Sequence, residues 1–473
     1  MMRGRESMRR FKRAWFIGLV CVLLDPTWPL SHTAPSAPVD EDAAYALTAR
    51  LERQAARRSG ASARQRARRR TARRAAVARR LARLEASVRR ASQVAIQRDD
   101  LRGEDPEVRQ AVLAALRPHA GTVVVMDPHS GRVYSIVNQE WALRKGFKPC
   151  STIKLLVGLA GLKEGIIDAK APLPLGGGSI AMNLIEALAH SNNQYFEIIG
   201  ERLGRATLLR YAREWGLGQP TGINLPRESA GRLPSEQPPR PRRRRSAPTP
   251  AVGRMASHGD GFAITALQLA VLTSAIINGG TLYRPQIVRS EAEASRLIPI
   301  PRRHLDLPPE HRESLMAGMI AAVEYGTAKL AYVPGITFAG KTGSCRGDSL
   351  WLGLFTSFAP VSDPRLVVTV IVQGRHERGS TAASIAGQIY QRLAHRLIPS
   401  PTAGPSHERM LERQSLTREW PENTPPVGDD AKRHDSREAH QRRGGRIARH
   451  QFENLTKREE THESRSIPRT RRG

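Results

Sequence analysis

The chain has 473 residues, with 75 Lys and Arg against 44 Asp and Glu, a formal net charge of +31 at pH 7, 14 His and three Cys. This length allows two or three domains, and the charge favours an anionic partner: nucleic acid, anionic lipid or an acidic polymer. The histidines and cysteines show no spacing typical of a metal site, so the composition gives no support to a metalloenzyme.

The N-terminus has the three parts of an export signal. Residues 1–13 are positively charged, residues 14–24 ("AWFIGLVCVLL") are apolar, and small and turn-forming residues follow. The apolar stretch is shorter than the roughly 20 residues that span a membrane. We therefore predict that residues 1–33 are a signal peptide or a membrane anchor. The protein is then exported to the cell envelope, either anchored in the inner membrane or periplasmic. The alternative is a cytosolic apolar stub.

Residues 34–117 are predicted to form a basic stem. Between Arg50 and Arg102 there are 18 arginines against four acidic residues, and Gly60 is the only Gly or Pro from residue 43 to 98. This composition predicts one long helix or several interrupted ones, or else a solvated, partly disordered stalk. The stem is predicted to bind an anionic membrane or a cell-wall polymer. No nucleic acid is expected, because export removes the chain from it and no base-reading module is visible.

Residues 118–400 have an ordinary globular composition and are predicted to form one domain. "TVVVMD" and "RVYSIVN" are predicted strands joined by the turn "PHSG". A buried helix follows from Leu155, then "LIEALAHSNNQYFEIIGERLG", helical with a polar break, and the helix "TALQLAVLTSAIINGG".

Three further strands are predicted in succession: "ITFAGKTGSC", "LWLGLFTSFAP" and "RLVVTVIVQG". "TAASIAGQIYQRLAHRLI" closes the domain as an amphipathic helix. Strands at both ends with helices between them predict an α/β (α+β) fold, with one antiparallel central sheet flanked by helices. Residues 401–473 are charged and poor in apolar side chains, which predicts a disordered polar tail.

Three short motifs occur in order: S-T-I-K from Ser151 to Lys154, S-N-N from Ser191 to Asn193, and K-T-G from Lys341 to Gly343. Alone, an S-x-x-K is more simply a capped surface helix, and a K-T-G is more simply the end of a strand. Their predicted settings are a helix start, a loop between helices and a strand. That order is typical of penicillin-interacting serine acyltransferases.

On these motifs the sequence resembles the transpeptidase domain of penicillin-binding proteins, which has a β-lactamase/transpeptidase-like fold. The resemblance covers about residues 120–398. It extends to "MDPHSGRVYSIVN", "EALAHSNNQYFEIIGERLG", "WGLGQPTGINLPRESAGRLP" and "AITALQLAVLTSAIINGGTLYRP". Ser151 and Ser191 lie only 40 residues apart, which is short for this family.

The resemblance gives a reason for a serine and a lysine at the start of a buried helix. One helical turn puts Ser151 and Lys154 on the same face. A serine hydroxyl is a poor nucleophile until a neighbour takes its proton. A lysine in a dry site near a second cation should have a lowered pKa, and it then acts as a neutral amine base.

The resemblance also implies roles for the other motif residues. Ser191 relays a proton to the leaving amine, and Asn193 holds the substrate's amide and bonds Lys154. Lys341, as the second cation, binds the substrate's terminal carboxylate together with Thr342 and Ser344. The backbone N–H groups of Ser151 and Ser344 form the oxyanion hole. Gly343 fits because a β-carbon there would obstruct a substrate lying along the strand.

The family acts on peptidoglycan stem peptides ending in D-Ala-D-Ala and binds β-lactams. The resemblance therefore implies a D,D-transpeptidase, or a carboxypeptidase if water is the acceptor, without cofactor or metal. Other cell-wall synthesis proteins are expected partners. Two alternatives remain open. One is a non-catalytic penicillin-binding sensor or scaffold. The other is a serine β-lactamase, although no E-x-x-L-N follows the second motif and "SNNQYF" favours penicillin-binding proteins.

Two cysteines flank the motifs outside the export signal. Cys150 precedes Ser151, and Cys345 follows Ser344. In this fold the start of the S-x-x-K helix faces the K-T-G strand, and the placement resembles a disulfide of some class A carbapenem-hydrolysing β-lactamases. We therefore predict a Cys150–Cys345 disulfide that locks the oxyanion hole. The alternative is two small buried thiols.

Overall fold

The computed structural model of the protein describes residues 41–176, 180–236, 250–290, 292–293, 296–347 and 349–398. The predicted export segment (1–33) and the predicted polar tail (401–473) lie outside the described residues. Within the described residues, no helix is both long enough and apolar enough to cross a membrane.

The secondary-structure elements are numbered here in chain order. The α-helices are α1 (Glu41–Ile96), α2 (Pro106–Leu116), α3 (Lys154–Lys163), α4 (Leu184–Ala189), α5 (Asn193–Glu214), α6 (Val252–His258), α7 (Ala266–Ile277), α8 (Pro309–Glu324), α9 (Gly379–Arg392) and α10 (Ala394–Leu397). Short helical turns cover Glu140–Arg144, Cys150–Ile153 and Lys329–Ala331. The strands are β1 (Gly121–Met126), β2 (Val133–Val137), β3 (Leu173–Leu175), β4 (Ile180–Met182), β5 (Thr281–Tyr283), β6 (Pro301–His304), β7 (Ala339–Arg346), β8 (Trp351–Ala359) and β9 (Leu366–Gly374).

The central sheet has five antiparallel strands in the order β2-β1-β9-β8-β7. Strands from both ends of the domain therefore meet in its middle, where β1 pairs with β9, and the predicted antiparallel sheet is confirmed. The predicted opening hairpin is confirmed as β1 and β2, and the three later strands are confirmed as β7, β8 and β9. Because β7 is an edge strand, one side of its backbone is open to a ligand.

Helices cover both faces of this sheet. On one face, the apolar sides of α2 and α9 form a core with alternate strand residues, among them Val123, Phe355 and Val370. On the other face lies α7, whose twelve residues are all buried. The buried threonines on that face bond one another, Thr273 to Thr356 at 2.7 Å and Thr356 to Thr369 at 2.8 Å, so no hydroxyl there is left unsatisfied.

The last predicted helix is divided. It ends at Arg392, and the four-residue α10 follows after Leu393, whose backbone (φ −101°, ψ 15°) departs from helical values. The apolar stripe predicted for it is nevertheless buried throughout, at Ile385, Ile389, Leu393 and Leu397. The sequence predicted the apolar stripe because the stripe depends on the periodicity of the side chains. It did not predict the division of the helix, because the division depends on local backbone angles.

The stem and the domain do not separate at residues 117 and 118, where the composition changes. The helix α2 lies before that point, but Val108, Val112 and Leu116 belong to the sheet core. The long helix α1 is continuous, and its C-terminal part contacts the domain. Buried Ser92 exchanges hydrogen bonds with the backbone of Gly121. The helix α2 and the C-terminal part of α1 therefore pack with the predicted domain.

Candidate active site

The three motifs meet at one end of α3. Ser151 lies in the turn Cys150–Ile153 that leads into α3, Ser191 lies in the loop between α4 and α5, and Lys341 lies on β7. Each motif comes from a different element. The turn is packed against β7 so closely that a β-carbon on Gly343 would lie 3.1 Å from the Pro149 carbonyl oxygen.

The turn that carries Ser151 has an unusual backbone. Cys150 has a φ of 50°, in the left-handed region that non-glycine residues rarely adopt. The Thr152 hydroxyl, fully buried, donates to the Pro149 carbonyl oxygen at 2.6 Å and so holds the turn from inside. Ser151 remains partly exposed while the three residues after it are buried. The turn therefore presents one hydroxyl to the open side of the site.

Lys154 is fully buried, and its amine is held by the second motif. Its Nζ lies 2.6 Å from the backbone oxygen of Ser191, 2.7 Å from Oδ1 of Asn193 and 3.2 Å from Oγ of Ser191. The carbonyl and the amide oxygen can only accept, so they take two N–H bonds of the amine. A neutral amine has two such bonds and a lone pair. This arrangement can therefore hold a neutral lysine with its lone pair directed toward a hydroxyl.

The second motif is a loop with strained geometry. Ser191 has a φ of 55°, again in the left-handed region. Asn192 caps α5 by accepting from the backbone N–H of Tyr195 at 2.9 Å, and α5 then begins at Asn193. Capping fixes where the helix starts, and so the side chain of Asn193 points at Lys154. The strain at Ser191 brings its oxygen to the same amine.

Lys341 is the buried member of the third motif. Its Nζ donates to the backbone oxygen of Thr342 at 3.1 Å. Complete burial lowers the pKa of Lys341 to about 7, because the charged form loses its hydration. At neutral pH, Lys341 is therefore divided about equally between its ammonium form and its neutral amine form. Its charge depends on whether an anion is bound nearby.

The other side chains of the third motif are also held. The Thr342 hydroxyl lies 2.6 Å from the hydroxyl of Thr327, and Ser344 Oγ accepts from the backbone N–H of Gly379 at 2.8 Å. Thr327 in turn donates its backbone N–H to Ala189, just before the second motif, at 3.0 Å. Thr327 therefore links the second and third motifs. The sequence analysis did not identify it, since no pattern around residue 327 marks it.

The two cysteines join the turn to β7. A disulfide links Cys150 to Cys345, with Cα atoms 5.6 Å apart and a separation of 195 positions in sequence. Gly343 lies against the same turn: a β-carbon there would be 3.2 Å from Cγ2 of Thr152. The packing of this turn is therefore one reason for glycine at position 343.

A second polar cluster lies beside the motifs. Ser257 Oγ is 3.0 Å from Oε1 of Glu197 and 2.6 Å from Nδ1 of His258. Burial, and then the charges of Arg254 and Lys154, lower the pKa of His258 to about 4. The sequence analysis found no metal-site spacing among the histidines, and no local pattern marks this one. Across the described ranges, no group of three or more His, Cys, Asp or Glu is placed to hold a metal ion.

The domain matches a known family. Residues 121–391 match the model of the penicillin binding protein transpeptidase domain. This match covers more than half of the chain, so the chain belongs to that family. The sequence-based recognition is confirmed.

Individual relatives are more distant. Stage V sporulation protein D of Bacillus subtilis is 30% identical over 289 residues, which cover 54% of this chain and 43% of that protein. The peptidoglycan D,D-transpeptidase MrdA of Acinetobacter baumannii is 25% identical over 338 residues, 57% of this chain and 50% of that protein. The chain spans about half the length of these curated relatives.

Solved structures agree in fold. The transpeptidase domain of Burkholderia pseudomallei penicillin-binding protein 3 has a TM-score of 0.53 at 20% identity, covering 64% of this chain and 98% of that one. Pseudomonas aeruginosa PBP2 has a TM-score of 0.54 at 22% identity, covering 65% and 80%. At these identities the likeness establishes the fold alone, which agrees with the antiparallel sheet described above.

Proposed function

We propose that the protein is a peptidoglycan D,D-transpeptidase that works through an acyl-enzyme on Ser151. The observation that carries this proposal is the position of the Lys154 amine. It lies one helical turn after Ser151 and 3.2 Å from Ser191 Oγ, and the turn that carries Ser151 packs against the K-T-G strand. The family match and the name of the MrdA relative support the same activity.

In the first step, Lys154 takes the proton of the Ser151 hydroxyl, and Oγ attacks the penultimate carbonyl of a stem peptide ending in D-Ala-D-Ala. The two acceptors on the amine, from Ser191 and Asn193, hold it in a geometry in which the neutral form still has a lone pair. The C–N bond breaks, and the proton passes through Ser191 to the amine of the departing D-Ala.

The third motif binds the negative charges of this step. The terminal carboxylate of the peptide meets the Lys341 ammonium and the hydroxyls of Thr342 and Ser344. The backbone N–H groups of Ser151 and Ser344 donate to the carbonyl oxygen as its charge grows. The close packing of the Ser151 turn on β7 supports this role, because it keeps the two N–H groups near each other.

In the second step, an amine of another stem peptide attacks the acyl carbon. Its nitrogen forms the new amide bond, the ester to Ser151 breaks, and Oγ recovers a proton. If water takes the place of the amine, the same site acts as a carboxypeptidase.

One experiment tests the assignment of the nucleophile. The exported protein is labelled with a fluorescent penicillin, and the modified peptide is identified by mass spectrometry. We expect label on Ser151 alone, and none on the Ser151→Ala variant. Label on another residue would refute the site. Release of D-Ala from a stem pentapeptide separates the enzyme from a penicillin-binding sensor, and rapid hydrolysis of a chromogenic cephalosporin would indicate a β-lactamase instead.

We also propose that the protein works in the cell envelope and that α1 binds an anionic membrane surface. The name of the MrdA relative refers to peptidoglycan, which supports the compartment. In the described part of the stem, Arg79, Arg83 and Arg90 are exposed, whereas Glu85 and Ser92 face the domain. An exposed ridge of arginines supports binding to anionic lipid.

A further inference from the structure

Three side chains form a hydrogen-bonded row beside Lys154 that the proposed mechanism does not use. His258 Nδ1 is 2.6 Å from Ser257 Oγ, which is 3.0 Å from Oε1 of Glu197. Ser257 is fully buried, and the His258 side chain is 17% exposed. The Glu197 side chain is 39% exposed, so the row runs from a partly exposed carboxylate through a buried serine to the histidine, and such a row is an acid–base arrangement as well as a packing contact.

The row is adjacent to the nucleophile. Glu197 follows Asn193 by four residues on α5, so the two share a helix face, and Asn193 is the residue that bonds the Lys154 amine. On the other side, His258 ends α6 and Gly259 packs against the Ser151 turn, where a β-carbon would lie 3.3 Å from the Cys150 nitrogen. The row therefore lies between the lysine and the turn that carries the serine.

The direction of the hydrogen bonds follows from the carboxylate. An ionised Glu197 can only accept, so the single proton of the Ser257 hydroxyl goes to Glu197. The Ser257 oxygen must then accept from His258, which assigns the proton of the neutral imidazole to Nδ1. The remaining nitrogen, Nε2, carries a lone pair.

We propose that His258 is a second proton acceptor of this active site and that it serves the acceptor half of the reaction. This rests on the proposed function, since it requires an acyl-enzyme on Ser151. The nitrogen of the acceptor forms a bond to the acyl carbon and gives one proton to Nε2 of His258. The bond from that carbon to Ser151 Oγ breaks, and Oγ takes a proton from Lys154. His258 passes the proton that it accepted on to Lys154, so the enzyme returns to its starting state with no net gain or loss of protons.

The charges around His258 suit this role. Three cations and two carboxylates face it from every element packed around it: Lys154 on α3, Lys148 before the turn, Arg254 on α6, Asp260 after α6 and Glu197 on α5. Because the pKa is about 4, the imidazole is unprotonated from about pH 5 upward, so its Nε2 lone pair is present at neutral pH. The carboxylate of Glu197 stabilises the imidazolium that forms transiently.

The rival explanation is that the same contacts only join α5 to α6. The two roles differ in what they predict for the two halves of the reaction. A packing defect would disturb Lys154 and slow acylation and transfer together. Loss of a proton acceptor for the incoming amine would slow transfer alone.

The experiment measures both halves on the full chain. Acylation is followed as the rate of Ser151 labelling by a fluorescent penicillin, and transfer as formation of the exchange product from a stem pentapeptide and D-methionine. For His258→Gln we expect labelling within about twofold of wild type and transfer lowered by about 100-fold or more, as is typical when a general base is removed. His129→Gln, in the exposed turn of the first hairpin, is the matched control and should change neither rate.

Two further variants keep the test decisive. Added imidazole should restore part of the transfer rate of His258→Ala, which packing alone does not predict. Ser257→Ala should lower transfer by about 10-fold with labelling intact, because it removes one charge-assisted hydrogen bond of the row. Equal losses in both rates, or no loss of transfer, would overturn the inference. An unlabelled wild type would overturn the proposed function and this inference with it.

Discussion

The amine of Lys154 and the side-chain oxygen of Asn193 lie 2.7 Å apart, although 39 residues separate them in sequence. This bond joins the first motif to the second, and it holds one N–H bond of the Lys154 amine in a fixed direction. It explains why a buried lysine is tolerated at the start of α3, since its polar end is satisfied by groups from another helix.

We expect Lys154→Ala to lower the rate of Ser151 acylation by at least about 100-fold, because the hydroxyl loses its base. Asn193→Ala should lower it by about 10- to 100-fold, the usual effect of a lost hydrogen bond to a charged group. The rates are measured by labelling with a fluorescent penicillin and quenching the reaction at set times. Lys163→Ala, at the other end of the same helix, is the control. An Asn193→Ala variant with an unchanged rate would contradict the proposed role of this bond.

The titration of Lys341 should be visible in the capture of anionic ligands. Its pKa is lowered to about 7, so the ammonium that attracts a carboxylate is lost as the pH rises through 7. The second-order rate constant for acylation by benzylpenicillin should therefore carry a falling limb above about pH 7. Lys341→Arg stays protonated and should lose that limb.

The control for this measurement is Lys329→Arg, an exposed lysine in a helical turn before β7. It should leave the pH profile unchanged. A falling limb that persists in Lys341→Arg would show that another group titrates.

Thr327 should affect binding more than chemistry. A Thr342 hydroxyl that donates to a substrate carboxylate must accept from Thr327, at 2.6 Å, so that the two protons point the same way. Thr327→Val should raise KM for the stem pentapeptide about 3- to 10-fold, the equivalent of one neutral hydrogen bond, with a smaller change in kcat. Thr327→Ser keeps the hydroxyl and should resemble wild type. A Ser variant as impaired as the Val variant would assign the residue to packing instead.

The Cys150–Cys345 disulfide should stabilise the turn that carries the nucleophile. It closes a loop of 195 residues, for which the chain-entropy model allows up to about 5 kcal/mol. The double variant Cys150→Ala, Cys345→Ala should have a lower Tm and slower acylation. Calorimetry and penicillin labelling measure the two effects.

Peptide mapping under non-reducing conditions is the direct check on the disulfide. Free thiols at both positions in the exported wild-type protein would contradict it. A reducing agent should lower the Tm and the acylation rate of the wild type. It should have no effect on the double variant, which serves as the control.

The stem should bind anionic membranes through its exposed arginines. Replacing Arg79, Arg83 and Arg90 with Gln removes three charges, each worth roughly 1 kcal/mol near an acidic bilayer, so affinity should fall about 100-fold at low salt. The measurement is co-sedimentation of the full chain with phosphatidylserine-containing vesicles. Binding should weaken as salt is added.

A matched triple variant on the domain surface tests whether position matters, with Gln at three exposed arginines: Arg202, Arg289 and Arg392. It should bind nearly as well as wild type. Equal losses in both triple variants would mean that net charge alone governs binding. Binding to a soluble polyphosphate but not to vesicles would refute the membrane proposal.

The predicted helices and strands depended on local patterns. The short apolar runs of β1, β8 and β9 and the apolar stripe along α9 are visible in the order of the side chains, so the sequence was sufficient for them. The helix α2 was missed because its apolar face is short and follows a stem of similar alanine content. Its role in the core became apparent only where Val108, Val112 and Leu116 meet the sheet.

The same distinction between local pattern and tertiary contact applies to the candidate site. The sequence alone determined the order of the three motifs, the placement of Ser151 and Lys154 one turn apart, and the membership of the chain in its family, because these are matters of residue type and short spacing. Only the tertiary structure decided what the Lys154 amine touches, that Thr327 bonds Thr342, and that His258, Ser257 and Glu197 form a row beside the lysine. The physical reason is distance along the chain: a hydrogen bond is satisfied by whatever group the packed elements bring within about 3 Å, and no local pattern records which group that is.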